Sequence, residues 1–356
     1  MKKRPHRIGV EVVDLFCGIG GLSLGLKSQG FKIKGGFDLD PTCRFAYEYN
    51  IGAPFFHKNI KDVSGDDVKA LYSHDSIRVL AGCAPCQPFS SYSHKKIKDP
   101  NKYDLLYEFA RLVKDVSPDY VTMENVSQII NFKLKPVFPD FLYVLEKEKY
   151  HVFWTVVFCP DYGIPQTRKR LVLLASKNSK ISLLPPTHTK ESYLTVGDVI
   201  RDLPEICSGK SCPNDPLHRS IVLSPLNVER IKSTPYGGSW RDWPDDLRLS
   251  CHKTESGRSF GSVYGRMRWE APAPTMTTEC TGYGNGRFGH PVQDRAITPR
   301  EAARFQTFPD SFKFFEDEAR VSITKAARYI GNAVPPKLGE IIGLSIKQNI
   351  KDTYNV

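Results

Sequence analysis

Residues 10–30 constrain the fold more than any other stretch of the chain. Residues 10–16 form a β-branched and apolar run, Cys17-Gly-Ile-Gly-Gly21 follows, and an apolar-rich segment ends at Gly30. Strand, glycine turn and helix in that order predict the opening unit of an open α/β sheet. Glycines at such a turn let a ligand approach the backbone, and the helix N-terminus presents N–H groups to a carboxylate or phosphate. The dinucleotide pattern Gly-x-Gly-x-x-Gly would need glycine at 23, where Ser23 stands, which argues against a nicotinamide cofactor.

Further short apolar runs each end on a residue with chemistry. Residues 33–37 run into Asp38, about twenty residues beyond the turn, where a carboxylate can accept from both ribose hydroxyls. A third candidate strand over 54–60 ends at Asp62, an acid placed to accept from an adenine amino group. Residues 77–80 lead into Ala81-Gly-Cys-Ala-Pro-Cys-Gln-Pro-Phe-Ser90. Cys86 is thus expected at the carboxyl edge of the sheet, where ligands and reactions collect. Residues 120–123 deliver Glu124, which is costly to leave in a dry site unless it is paired or working.

Residues 91–103 are polar and lysine-rich and read as a lid beside the cysteine. Residues 104–116 resume a helical period, with Leu105, Leu106, Phe109, Leu112 and Val113 on one face. Two more strands are expected at 151–158 and 170–175. The connection between them holds Gln166-Thr-Arg-Lys-Arg170, a solvated face unless one cation points inward.

After Ser176 the texture changes. Residues 177–190 suit a linker, and residues 191–296 are rich in glycine and proline, with aromatics interleaved with Arg in Trp240-Arg-Asp-Trp243, Tyr264-Gly-Arg-Met-Arg-Trp269 and Gly282-Tyr-Gly-Asn-Gly-Arg287. Such a segment suits phosphate contact and base reading, or is a loop-rich structural insert. Thr298-Pro-Arg-Glu301 is a helix start with Thr as N-cap and Glu three residues on. A turn over 329–336 then introduces a terminal helix over 337–349.

Lys and Arg total 50 against 39 Asp and Glu, a net charge of +11 in 356 residues, which favours a polyanionic partner. The basic N-terminus lacks the apolar core and cleavage site of a signal peptide, and no segment is long enough to span a bilayer. Nine irregularly spaced cysteines fit a reducing cytoplasm better than a disulfide scaffold.

Cys83 and Cys86 form a Cys-x-x-Cys, so zinc and redox roles stand beside a nucleophilic one. A zinc site needs a second ligand pair, and Cys207 and Cys212 lie in a remote segment; a thioredoxin-type pair lies at a helix N-terminus, whereas a long polar loop follows here. A nucleophilic cysteine beside an acid and arginines fits attack on an electron-poor ring. A pyrimidine is electrophilic at C6 when an acid holds its N3 and a guanidinium its O2, for which Glu124, Arg168 and Arg170 are candidates.

In order, the chain shows Asp14-Leu-Phe-Cys-Gly-Ile-Gly-Gly21, Ala84-Pro-Cys-Gln-Pro-Phe-Ser90, Glu124-Asn-Val126, Gln166-Thr-Arg-Lys-Arg170, Thr298-Pro-Arg-Glu-Ala-Ala-Arg304 with Phe308-Pro-Asp310, and Gly331-Asn-Ala-Val-Pro335. Over nearly its whole length it resembles the DNA (cytosine-5) methyltransferases of bacterial restriction–modification systems. The resemblance implies Cys86 as nucleophile, Glu124 holding and protonating N3, and an arginine of 166–170 on O2, Arg170 before Arg168. It implies S-adenosylmethionine as methyl donor and no metal. Phe16 would stack on its adenine, Asp38 and Leu39 would hold ribose and ring, and Asp62 and Val63 the adenine edge. Gly18 and Gly20 would flank the methionine part, and Pro85, Leu105 and Asn332 would line the same pocket.

The resemblance further implies double-stranded DNA as partner, a flipped target base, and contacts from Ser90, Thr277, Tyr283, Gly284 and Arg287. A cytoplasmic monomer is expected, with a cognate restriction endonuclease in the same system but no stable complex with it. The transfer-RNA cytosine-5 methyltransferases are the alternative, but their Cys-Phe-Thr signature is absent. The expected architecture is a doubly wound, mostly parallel Rossmann-like catalytic domain over residues 1–186, completed by 325–356. A smaller, loop-rich target-recognition domain over 187–324 would be inserted in it, with DNA in the cleft between them.

Overall fold

The computed structural model describes residues 9–85, 104–132, 135–317 and 320–354. The chain divides into two compact units: Met1–Phe158, Lys169–Pro186 and Val334–Val356 form the first, Cys159–Arg168 and Thr187–Ala333 the second.

The first unit is built on a seven-stranded sheet. Its strands are β1 (Val10–Leu15), β2 (Lys32–Asp38), β3 (Phe55–His57), β4 (Ile77–Gly82), β5 (Tyr120–Val126), β6 (His151–Phe158) and β7 (Lys169–Ser176), in the order β3-β2-β1-β4-β5-β7-β6. The pairs from β3 to β5 are parallel, and β7 lies antiparallel between β5 and β6. Helices α1 (Gly21–Ser28), α2 (Arg44–Ile51), α3 (Gly65–Lys69), α4 (Leu105–Val116) and α5 (Val137–Lys147) connect them. The strand order reverses direction between β1 and β4, and in such sheets ligands bind outside the carboxyl ends of the strands at that point.

Burial explains the apolar runs. Every residue of β5 is buried, and the face of α4 that carries Leu106, Phe109, Leu112 and Val113 packs into the core with Val13, Leu80, Val121 and Leu171. Leu105, expected on the same face, is only half-buried at the helix start.

Two strand ends differ from expectation. β3 stops at His57, and Asp62 lies in a short 3₁₀ turn, Ile60–Asp62, because the Asn59 side chain caps it by accepting from Lys61 N. β5 does not stop at Met123 but continues through Glu124, because its antiparallel partner β7 keeps pairing as far as Val126 opposite Arg170.

The second unit holds α6 (Val196–Ile200), the two-stranded pair β8 (Ser211–Cys212) and β9 (Asp215–Arg219), α7 (Pro225–Lys232), α8 (Glu255–Arg258), α9 (Pro299–Phe305) and α10 (Ile323–Asn332). Long irregular stretches join them. The expected helix start is present: Thr298 accepts from Glu301 N at 3.2 Å, and Glu301 accepts from Thr298 N at 2.7 Å. Arg295 donates to both Glu301 oxygens at 2.8 Å, so the carboxyl stays below its ordinary value although burial alone would raise it. Helix α10 runs through Tyr329 to Asn332, which shortens the expected turn; its carbonyl at Ile330 accepts from Gln306.

Helix α11 (Pro336–Tyr354) returns to the first unit and packs on α1. Contact is close because both helices carry glycine at the crossing. A Cβ on Gly25 would stand 2.2 Å from the Pro336 carbonyl oxygen, and one on Gly339 would stand 2.8 Å from that of Leu22.

Candidate active site

The sheet's carboxyl edge presents one group of side chains at β1 and β2 and another at β4, β5 and β7. At the first, β1 ends in a turn where Phe16, Gly18 and Gly20 all have positive φ, of 60°, 51° and 89°. Gly20 has no room for a side chain, since its Cβ would fall 2.8 Å from Ile51, whereas a Cβ on Gly18 would meet nothing within 4 Å. Gly18 N donates to Asp38 Oδ2 at 2.8 Å, and Asp40 N to Oδ1 at 2.8 Å. Burial raises the Asp38 carboxyl, those two N–H groups opposing it.

Beneath the turn Asp14 is fully enclosed. Ser23 Oγ donates to its Oδ2 at 2.6 Å, with Tyr47 OH 3.2 Å from the same hydroxyl. Burial pushes the Asp14 carboxyl up to about 7; the Ser23 hydrogen bond opposes this and the charge of Asp38 adds to it.

Phe16 is half-buried against the core, Leu39 is 63% exposed, Asp62 is exposed and Val63 is buried. Arg111, which the sequence reading passed over as part of a helix, donates to the carbonyls of Ile60 and Val63 at 3.2 and 2.9 Å and pins the turn that carries Asp62.

The second group follows from strand register. β4 and β5 are parallel with Gly82 opposite Met123, so the next residues, Cys83 and Glu124, are level with each other. Glu124 pairs with Val172 on β7, and Arg170, two residues earlier on β7, lies on the same face. Arg170 Nε lies 2.9 Å from Glu124 Oε1, and Cys83 Sγ donates to Oε2 at 2.8 Å; Glu124 itself is 2% exposed. Asn125 Nδ2 donates to the Ala84 carbonyl at 3.1 Å, which fixes the segment leading to Pro85. Cys86, Ser90 and the loop over 91–103 lie outside the described residues. The partners of Glu124 and the tether of Asn125 could not be read from spacing, because they depend on which strands are neighbours.

Arg168, in the second unit, is 2% exposed and spends its guanidinium on main-chain carbonyls, of Met276 at 2.9 Å and Gly331 at 3.3 Å. Asn332 is exposed at the end of α10. Thr277 is exposed, and the adjoining backbone crosses Gly331 so tightly that a Cβ there would lie 2.3 Å from it.

Tyr283, expected at a DNA surface, is instead 1% exposed, and its hydroxyl pairs with Thr234 Oγ1 at 2.7 Å in a core with Trp240 and Trp243. The Arg287 Nη1 is held by the carbonyls of Gly237, Gly238 and Arg266 at 2.7, 2.8 and 3.0 Å. Arg287 lines, with Arg268, Thr167 and Met267, a cavity of about 430 Å³, and Gly284 is half-buried beside the Tyr264 ring. Among the described residues no group of three or more His, Cys, Asp or Glu could hold a metal, and no helix is long and apolar enough to cross a membrane.

Residues 10–348 match the family model of the C-5 cytosine-specific DNA methylases. The chain is 50% identical over 343 residues to the type II methylase M.HgiDII of Herpetosiphon aurantiacus, covering 96% of each protein. It is 33% identical over 370 residues to the type II methyltransferase M1.BsuMI of Bacillus subtilis, covering 97% of this chain and 83% of that one. Its fold is similar to that of a prophage-encoded E. coli protein assigned as a DNA modification methyltransferase, with a TM-score of 0.74 at 23% identity over 98% of this chain and 100% of that one. The chain belongs to the C-5 cytosine-specific DNA methylases and is a DNA (cytosine-5) methyltransferase of the type II restriction–modification kind.

Proposed function

We propose that the enzyme transfers the methyl group of S-adenosylmethionine to C5 of one cytosine in a short specific sequence of double-stranded DNA, through a covalent bond between Cys86 and ring carbon C6. The observation that carries this reading is the buried Glu124–Arg170 pair, 2.9 Å apart, beside the segment that leads into Cys86. It offers an acid and a cation side by side, the two groups that a ring nitrogen and its neighbouring carbonyl require. Glu124 in its protonated form would donate to N3 and Arg170 would donate to O2, so that both draw electrons from the ring. The Cys86 thiolate would then add to C6 as the C5–C6 double-bond pair moves to C5, and C5 would take the methyl group while the methyl–sulfur bond of the sulfonium breaks and leaves its electron pair on sulfur. Loss of the C5 proton to a base expels the thiolate and restores the ring.

The turn over residues 16–20 fits the cofactor. Gly18 opens onto space, and Asp38 retains acceptor capacity, since a carboxylate has about four lone-pair sites and the N–H groups of Gly18, Asp40 and Leu39 do not fill them. Asp38 would hold the ribose, Phe16 and Leu39 the faces of the adenine, Asp62 and Val63 its edge, and Gly18 and Gly20 the methionine part. Pro85, Leu105 and Asn332 complete the binding set in this reading. When bound, the cofactor supplies an electrophilic methyl group on a sulfonium.

The target base leaves the duplex at a cost of roughly a few kcal/mol, which damaged or mispaired bases escape in part. Ser90, Thr277, Gly284 and Arg287 remain the residues assigned to DNA; Tyr283 acts by supporting them from the core. A cognate restriction endonuclease belongs to this reading. The test is incubation with labelled cofactor and either duplex DNA or transfer RNA: label is expected on duplex DNA, and label on RNA alone would overturn the substrate. Cys86→Ser is expected to abolish transfer while cofactor binding persists, and full activity in that variant would mean the wrong sulfur has been chosen.

A further inference from the structure

The side chain of Cys83, the first cysteine of the Cys-x-x-Cys, faces the acid. Three tethers fix the segment it begins. Cys83 N donates to the Leu15 carbonyl of β1 at 3.2 Å, Asn125 holds the Ala84 carbonyl at 3.1 Å, and the Cys83 thiol lies 2.8 Å from Glu124 Oε2. The first two are backbone contacts available to any residue at 83 and 84. The third depends on the side chain.

We propose that Cys83 is a positioning residue for the reaction, its thiol fixing the orientation of the Glu124 carboxyl; this rests on the reading of Glu124 as the acid that meets the cytosine ring. The Arg170 guanidinium faces Oε1 as an ion pair, without a hydrogen bond to that oxygen among the described residues, and the Cys83 thiol makes the hydrogen bond to Oε2, so the carboxyl plane cannot turn about its last torsion without breaking a contact. That torsion is soft in a free glutamate, with broad wells rather than sharp ones. In a site 2% exposed, water does not replace a lost partner, so removing the thiol leaves the carboxyl held at one oxygen and free to rotate away from the ring nitrogen. A hydroxyl at 83 can donate in the same direction; a methyl group cannot.

The test uses the full-length enzyme, duplex DNA containing its recognised sequence, and steady-state methyl transfer. Cys83→Ala is expected to lower kcat roughly tenfold, the loss of one hydrogen bond to a charged group, with KM for cofactor and DNA unchanged. Cys83→Ser is expected to recover kcat to within about threefold of wild type, because the hydroxyl restores the donor. In a Glu124→Gln background, adding Cys83→Ala is expected to cost nothing further, since the thiol acts through the carboxyl. Wild-type kcat in Cys83→Ala, an equal loss in Cys83→Ser, or additive losses in the double variant would each overturn the proposal. Glu124→Gln alone separates the two readings: wild-type turnover there would end the role of Glu124 itself, whereas a slow Glu124→Gln beside a fast Cys83→Ala would end only that of Cys83.

Discussion

Arg170 reaches Glu124 because β7 runs antiparallel to β5 and places it diagonally across the pair, while Arg168, two residues earlier, spends its donors on main-chain carbonyls. The residues alone offered both arginines and the family resemblance put Arg170 first; the strand boundary at Lys169 places Arg170 on β7 and leaves Arg168 outside it. Arg170→Lys keeps the charge but loses the rigid planar donor set, and we expect kcat to fall by roughly a hundredfold with cofactor binding intact. Unchanged turnover would show that a point charge suffices. Asp14 gives a test in pH. Its folded value of about 7 lies above the ordinary 3.8, so between those values the folded protein binds more protons than the unfolded chain. Stability contributed by this group is therefore full below the lower value and declines as pH rises to the upper one. In cofactor-free protein, the melting temperature of Asp14→Asn relative to wild type should rise across that window and level off above it. A difference independent of pH would mean that Asp14 does not titrate there.

At the scale of elements, the α1–α11 crossing depends on two glycines with no room for a methyl group. Gly25→Ala should cost about 1–3 kcal/mol, as overpacking does, visible as a lower denaturant midpoint at unchanged slope. An unchanged midpoint would show that the helices can separate without loss. The existence of most strands of the sheet was legible, because each is a short apolar run bounded by polar or glycine residues. Their ends were not: β5 passes through Glu124 because β7 pairs alongside it, a non-local cause. The Thr298–Glu301 cap was legible because all its donors and acceptors lie within four residues. The sequence pattern also favoured a turn from 329 onward, where α10 continues, its end held by Gln306 donating to the Ile330 and Ala333 carbonyls.

For the whole molecule, the basic charge and the ordered motifs pointed to a polyanion-handling α/β enzyme with a loop-rich second part. What could not be read is how the chain interleaves. Residues Cys159–Arg168 join the second unit because Thr167 N donates to the Ala273 carbonyl, a partner more than a hundred residues away. The interleaved aromatics and arginines of 240–287 resembled a base-reading surface, yet Trp240, Trp243 and Tyr283 are core, and Arg266 donates to the carbonyls of Thr234, His290 and Ile231. Single-residue patterning cannot distinguish an arginine that braces a loop from one that meets a phosphate, since both need a turn-rich backbone. The account as a whole is tested most directly by bisulfite sequencing of DNA from cells that express the protein beside cells that express Glu124→Gln. Unconverted cytosine is predicted at one position of one short recurring sequence with the wild type and nowhere with the variant; full conversion in both, with folded protein present, would contradict it.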